Sequence, residues 1–172
     1  MNKGGQMKKT FGKWGCILAM FIGILTLSLS QENVYAEEPQ HLGDVIDESV
    51  LTDDDEAEDT QFTRLRNSYL MQGFIKITNN GNGIVGIGGT TDCYVTCDTV
   101  KLNLYLERSK GDTGFSSYKS FEYTTYNTNL FGKSFNYVVE KGYYYRLRGY
   151  HYASKNGVGE SLISRTDGIY IG

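Results

Sequence analysis

The chain has 172 residues, enough for one small domain with its own hydrophobic core. Charged residues make up 22% of the sequence and the formal net charge is −3, so we expect no nucleic-acid partner. Two histidines and three cysteines leave little material for a catalytic or metal-binding cluster.

Residues 1–36 have the pattern of a secretory signal peptide. Four lysines form a basic start, an apolar run follows from Cys16 to Ser30, and Val34-Tyr35-Ala36 precedes an acidic stretch. This order predicts cleavage after Ala36 and a secreted protein that meets the membrane only during export. The alternative is an uncleaved membrane anchor, but an apolar run of about fifteen residues is shorter than the roughly 20 that a spanning helix needs.

Residues 37–66 form an acidic segment. Eleven Asp or Glu and no Lys or Arg lie between Glu37 and Thr60, and the apolar residues there are scattered. Such a composition buries too little apolar surface to offset ordering entropy, so we predict a disordered spacer. The alternative is a pro-segment whose acidity masks the rest of the chain, since residues 61–172 carry 13 Lys or Arg against eight Asp or Glu.

Residues 67–172 are predicted to form one all-β domain. They are rich in Tyr, Thr, Val, Ile and Gly, contain no proline and show no helical period. Short alternating segments with turn signals between them predict a single antiparallel β-sandwich of about seven strands, similar to a fibronectin type III or immunoglobulin domain. The predicted strands are 69–77, 83–91, 99–108, 116–126, 134–140, 142–153 and 162–171.

The strand predicted at 142–153 alternates with period two and is expected to lie at the centre of the sheet. One set of side chains contains Leu147 and a glycine and is expected to face the core; its members are Tyr143, Tyr145, Leu147, Gly149 and His151. Tyr143 follows a turn and is the candidate for a tyrosine corner of the kind seen in Greek-key sandwiches.

Three glycines lie close together in the strand predicted at 83–91, at Gly86, Gly88 and Gly89. A phosphate-binding loop would have to open a helix and usually carries a lysine, and neither feature is present. We therefore interpret these glycines as a bulge or a place of close packing in the sheet.

Four stretches together resemble a family of small exported proteins from Gram-positive anaerobes that is known only as a domain of unknown function. They are Ile77-Thr-Asn-Asn-Gly-Asn-Gly-Ile-Val, the strand from Asp98 to Arg108, the strand from Lys141 to Tyr152, and the closing Gly168-Ile-Tyr-Ile. The resemblance implies secretion and a β-sandwich from about Ser68 to Gly172. It implies no activity, substrate or catalytic residue.

No arrangement of residues indicates an enzyme. His41 lies in the acidic segment and His151 in the predicted central strand, and no nucleophile or metal-binding motif accompanies either. The spacing of the glutamates selects no hydrolytic pair among Glu107, Glu122, Glu140 and Glu160. We therefore predict a protein without catalytic activity, cofactor or metal.

The outward set of the strand at 142–153 is the predicted binding face. With one tyrosine from the strand at 99–108, its members are Tyr105, Tyr144, Arg146, Arg148, Tyr150 and Tyr152, and Lys101 and Asn103 would extend it. Tyr and Arg often anchor interfaces, and together they favour an anionic glycan or an acidic peptide as ligand. The alternative is an ordinary cross-strand ladder in which Glu107 pairs with an arginine.

Three functions follow from these predictions. The first is a binding or adhesion module at the cell surface or in the extracellular matrix, using this face or the loops at Asn79–Gly83, Lys110–Gly114 and Ser154–Gly159. The second is a secreted toxin-like or bacteriocin-like effector with the acidic segment as pro-segment. The third is a passive structural protein outside the cell.

Cys93 and Cys97 are the two cysteines beyond the signal peptide, and in an oxidising compartment they are predicted to form a disulfide. Four residues of extended strand would separate their Cα atoms by about 13 Å, too far for that bond. The pairing therefore requires a helical turn over these residues. The alternative is two free or intermolecular thiols.

Overall fold

The computed structural model describes residues 39–64 and 68–172, so the predicted signal peptide lies outside the described residues. The described residues contain nine strands and no helix, which confirms the all-β prediction. No helix in this part of the chain is long and apolar enough to cross a membrane. The strands are β1 (Val45–Ile46), β2 (Ser49–Thr52), β3 (Glu56–Phe62), β4 (Leu70–Asn79), β5 (Ile84–Ser109), β6 (Ser116–Val138), β7 (Tyr143–Lys155), β8 (Val158–Arg165) and β9 (Gly168–Ile171).

The strands form one mixed, strongly curled sheet with the shape of a half-barrel. Seven strands follow the order β1-β2-β9-β7-β5-β4-β3, while β6 pairs with β5 and β8 pairs with β7. The pairing of β2 with β9 is parallel, and the other pairs are antiparallel. The architecture thus differs from the predicted sandwich, in which two separate antiparallel sheets would face each other.

Two long strands, β5 and β6, bend together and account for the curl. Asp92 pairs with Leu130 and Cys97 pairs with Thr128, so five steps along β5 match two steps along β6. Extra residues of this kind bend a strand and increase its twist. The first half of β5 therefore pairs with β4 and its second half with β7. Four of the predicted strands are the halves of these two.

The bend brings aromatic side chains from the two halves of β6 together. The ring centroids of Phe121 and Phe135 are 4.7 Å apart, and those of Phe121 and Tyr137 are 5.3 Å apart. These rings pack against the main core cluster, which includes Ile75, Ile77, Ile87, Leu102, Leu104, Leu106, Tyr145, Leu147 and Ile169. The sheet thus encloses a core between its own two halves.

The acidic segment is ordered over residues 39–64, which corrects the prediction of a disordered spacer at 37–66. β3 pairs with β4 along its whole length, β2 pairs with β9, and Leu51 is fully buried. The acids lie on the outside, where Lys76 Nζ is 2.7 Å from a Glu56 carboxylate oxygen and Arg165 pairs with Glu48. Backbone pairing and basic residues of the rest of the chain supply the stabilisation that the segment's own composition lacks.

His151 lies in the core with a hydrogen-bond partner on each ring nitrogen. Thr91 Oγ1 is 3.1 Å from Nδ1 and Ser164 Oγ is 2.7 Å from Nε2. Burial lowers the pKa of this imidazole to about 4, although a hydrogen bond that the ring donates to the Thr90 backbone and the carboxylate of Asp59 act in the opposite direction. The ring is therefore neutral in the folded protein at neutral pH.

We expect the folded state to lose stability as the pH falls from about 6.5 to about 4, the ordinary and the lowered pKa of His151. In this window the unfolded chain binds a proton that the folded chain does not, which costs on the order of 3 kcal/mol at the acid end. Urea unfolding of the wild type and of His151→Gln across this range tests the effect. Identical pH dependence of the two proteins would contradict it.

Candidate functional site

The predicted binding face on β7 is partly covered by the acidic segment. Tyr144 and Arg146 are 1% and 4% exposed, so the prediction that they face solvent is wrong. The Tyr144 hydroxyl donates to the carbonyl oxygen of Gln40, and Arg146 Nη1 donates to the carbonyl oxygen of Asp47 at 2.8 Å. The covering residues belong to the segment predicted to be a spacer.

Glu107 holds both arginines of this face. Arg146 Nε donates to one carboxylate oxygen at 2.9 Å, and Arg148 Nε donates to the other at 2.8 Å. The Glu107 side chain is only 10% exposed and that of Arg146 only 5%. The alternative interpretation, a cross-strand ladder in which Glu107 pairs with an arginine, is confirmed.

The remaining members of the predicted face are half-buried and contact one another. The Arg148 guanidinium lies over the Tyr105 ring at 4.2 Å, and Lys101 Nζ lies 5.5 Å from the centroid of Tyr152. Tyr150 and Tyr152 stack with their centroids 6.4 Å apart. The cations of this surface are thus occupied by local partners, which weakens the argument for an anionic ligand here.

Cys93 and Cys97 are free thiols, both buried at the bend of β5. Residues 93–97 stay in strand conformation, so the predicted helical turn is wrong. The extra residues at the bend bring the two side chains together instead. Burial raises the pKa of the Cys93 thiol to about 12, and the neighbouring Cys97 contributes to this shift as the second cause. Their disulfide stays a prediction.

A second surface has the better geometry for a site. It lies on the outer side of the sheet, where β4, β5 and β6 run side by side. Cross-strand pairing aligns Lys76 with Gly88 and Ser134, and Thr78 with Gly86 and Asn136. Because the middle strand carries glycines in both rows, its neighbours form the walls of a trough. This trough, which we call the glycine groove, has a volume of about 580 Å³.

Gly88 forms the open part of the groove floor. A Cβ atom added there would lie 3.6 Å from Ser134 Oγ and 3.7 Å from the carbonyl oxygen of Lys133, which are ordinary contact distances. The φ angle of Gly88 is also not positive. Neither packing nor backbone conformation therefore requires glycine at this position.

The neighbouring glycines differ from Gly88. A Cβ atom on Gly89 would point inward, 3.0 Å from both Leu104 Cδ2 and the carbonyl oxygen of Phe74, so the close-packing interpretation holds there. Gly86 lies beneath a bridge in which Asn80 Nδ2 donates to Asn136 Oδ1 at 3.0 Å. The bridge limits the groove at that end.

Two lysines line the groove, Lys76 and Lys133, and each has local partners. Lys76 is the charged side chain of its β4 wall, and Glu56 and Glu58 lie 2.7 and 3.8 Å from Lys76 Nζ. These carboxylates raise the pKa of Lys76 through a hydrogen bond from the ammonium to Glu56 and through their charge. Both carboxylates come from β3, inside the segment predicted to be a disordered spacer.

The sequence contained a signal for this groove. Gly86 and Gly88 are two residues apart and therefore share one face of a strand, whereas Gly89 lies on the other face. The three glycines therefore do not form one cluster. The walls depend on cross-strand register, which the sequence alone does not determine.

The described residues contain no group of three or more His, Cys, Asp or Glu side chains arranged to hold a metal ion. Comparison with curated proteins gave no match. Residues 38–168 match the Family of unknown function (DUF6147), a range that includes β1 to β3 as well as the glycine groove. The match extends over most of the sequence, and the chain therefore belongs to this family of unknown function.

Proposed function

We propose that the chain is an exported, non-catalytic binding module and that the glycine groove holds its ligand. The observation that carries the proposal is Gly88, a glycine inside a strand with neighbours on both sides and room for a Cβ atom at ordinary contact distances. Glycine at such a position costs roughly 0.5–1 kcal/mol relative to alanine. A glycine that the fold does not need marks a place where another molecule approaches the backbone.

The half-barrel provides a rigid support for this groove. Its floor belongs to the first half of β5, whose backbone is paired along β4 and along β6. The inner side of the same three strands contributes Ile75 and Ile87 to the core. A site on paired strands needs little ordering when a ligand binds, which favours recognition.

The two other functions have less support. A pro-segment must leave the domain that it masks, but β3 pairs with β4 over seven residue pairs and β2 completes the sheet beside β9. A passive structural role does not explain a glycine in the middle of a strand at a position where the fold does not require one. Export rests on the sequence pattern of residues 1–36.

Gly88→Val tests the binding site. Valine fills the trough and favours a strand, so we expect unchanged or slightly raised stability together with lost retention on the ligand. Wild-type and variant proteins are compared for retention on a cell-wall fraction, mucin and cellulose, and for thermal unfolding. Thr124→Val is the matched control, because Thr124 is exposed on β6 opposite Lys101 and outside the groove.

A fraction retained by the wild type and by Thr124→Val, but not by folded Gly88→Val, supports the groove as the site. Equal retention of both variants on every retained fraction would show that binding does not use the groove. A large loss of stability in Gly88→Val would show that the glycine is structural.

A further inference from the structure

We propose that the ligand of the glycine groove is an uncharged polysaccharide, recognised by side chains along the two walls. This inference rests on the proposed function, because it names the ligand class of the same site. It also replaces the anionic glycan or acidic peptide expected from the sequence.

The main chain of the groove is not available to a peptide strand. Peptides that add to a sheet bind through unpaired backbone groups at an edge. Gly86 and Gly88 lie in a strand that is paired with β4 on one side and with β6 on the other. A ligand in this groove must therefore be recognised through contacts with the side chains of the walls and through its own shape.

The charges of the groove disfavour an ionic ligand. Two lysines line the groove, Lys76 and Lys133. Lys76 is already paired with Glu56 and Glu58, and Lys133 Nζ lies 5.6 Å from the ring centroid of Tyr123, so an anionic polymer would compete with local partners for both ammonium groups. A cationic polymer would be repelled by Lys76, which lies between those carboxylates and the groove floor. Arg146 and Arg148, which suggested an anionic ligand, are held by Glu107 on a different part of the sheet.

The remaining lining fits the chemistry of a sugar chain. Thr78 and Ser134 offer hydroxyl groups, and Asn80 and Asn136, which share one hydrogen bond with each other, keep further amide donors and acceptors. Phe74 lines the end of the groove away from the Asn80–Asn136 bridge, where an aromatic ring can support the apolar face of a sugar. The wall from Phe74 to Asn80 is about 20 Å long at the rise of a strand, which accommodates several sugar units.

The test uses defined soluble polymers and the purified protein. Affinity electrophoresis compares neutral polymers (mannan, hydroxyethyl cellulose and a mixed-linkage glucan) with an anionic polymer, alginate, and a polypeptide, poly-glutamate. We expect retardation by at least one neutral polymer, unchanged between about 0.05 and 0.5 M salt because no charge is involved. Phe74→Ala and Asn136→Ala are each expected to weaken it about ten-fold, and Gly88→Val to abolish it.

Retardation by a neutral polymer that resists salt and requires Gly88 and Phe74 supports the inference. Gly88-dependent retardation by alginate or poly-glutamate alone would leave the groove as a binding site but overturn the ligand class. If every retardation persists in folded Gly88→Val, the groove is not the site, and the proposed function fails with the inference.

Discussion

Replacing Glu107 by alanine is expected to lower the free energy of unfolding by about 3–5 kcal/mol. Glu107 is the carboxylate partner of two guanidinium groups, and the side chain of Arg146 is only 5% exposed. Without Glu107 the charge of Arg146 keeps the carbonyl oxygen of Asp47, the hydroxyl of Ser49 and the ring of Phe115 as partners. None of these is an anion, so the buried cation loses its compensation.

Urea unfolding measures this loss, and Arg148→Ala is the matched control. The Arg148 side chain is 31% exposed, and its removal leaves Glu107 paired with Arg146, so we expect a loss of roughly 1 kcal/mol or less. Equal effects of the two variants would show that the pair with Arg146 contributes no more than a surface ion pair.

The alternation of β7 was predictable because it is local. Side chains on a strand point to opposite faces in turn, and Tyr145, Leu147 and His151 are fully buried as expected. The other face was not predictable in the same way. Its cover is formed by residues about a hundred positions away, such as Gln40 and Asp47, and a period within one strand carries no information about them.

One further difference has the same cause. The tyrosine of this strand whose hydroxyl donates to a carbonyl oxygen a few residues upstream is Tyr145, 2.8 Å from that of Glu140, and not Tyr143. Tyr143 instead contacts the guanidinium of Arg108 at 4.5 Å. Turn signals located the start of β7 correctly, but the depth of each ring depends on which strands pack over it.

The acidic segment shows where composition fails as a predictor. Its average charge is that of a disordered chain, but its acids lie where basic residues of later strands reach them, as Lys76 does for Glu56. The half-barrel then uses β3 as one end of its sheet. Disorder predicted from composition assumes that a segment must stabilise itself, and this one is stabilised by pairing with β4.

Gly73→Ala is expected to lower the free energy of unfolding by about 3 kcal/mol or more, because the new methyl group overlaps the His151 ring. An added Cβ would lie 2.6 Å from His151 Nε2 and closer still to two ring carbons. The ring also meets Gly149, where an added Cβ would be 2.7 Å from Nε2. The ring thus packs against two glycines and is fixed by Thr91 and Ser164, so it cannot move without losing hydrogen bonds.

A double-mutant cycle with His151→Ala tests this mechanism. Once the ring is removed, the methyl group has space, so Gly73→Ala is expected to cost little in the His151→Ala background. Denaturant unfolding of the four proteins gives the coupling free energy. Additive losses would mean that Gly73 is required by its pairing with Gln61 and Thr91, not by the imidazole. The contrast with Gly88→Val, for which no loss is expected, separates a glycine that the fold requires from one that it does not.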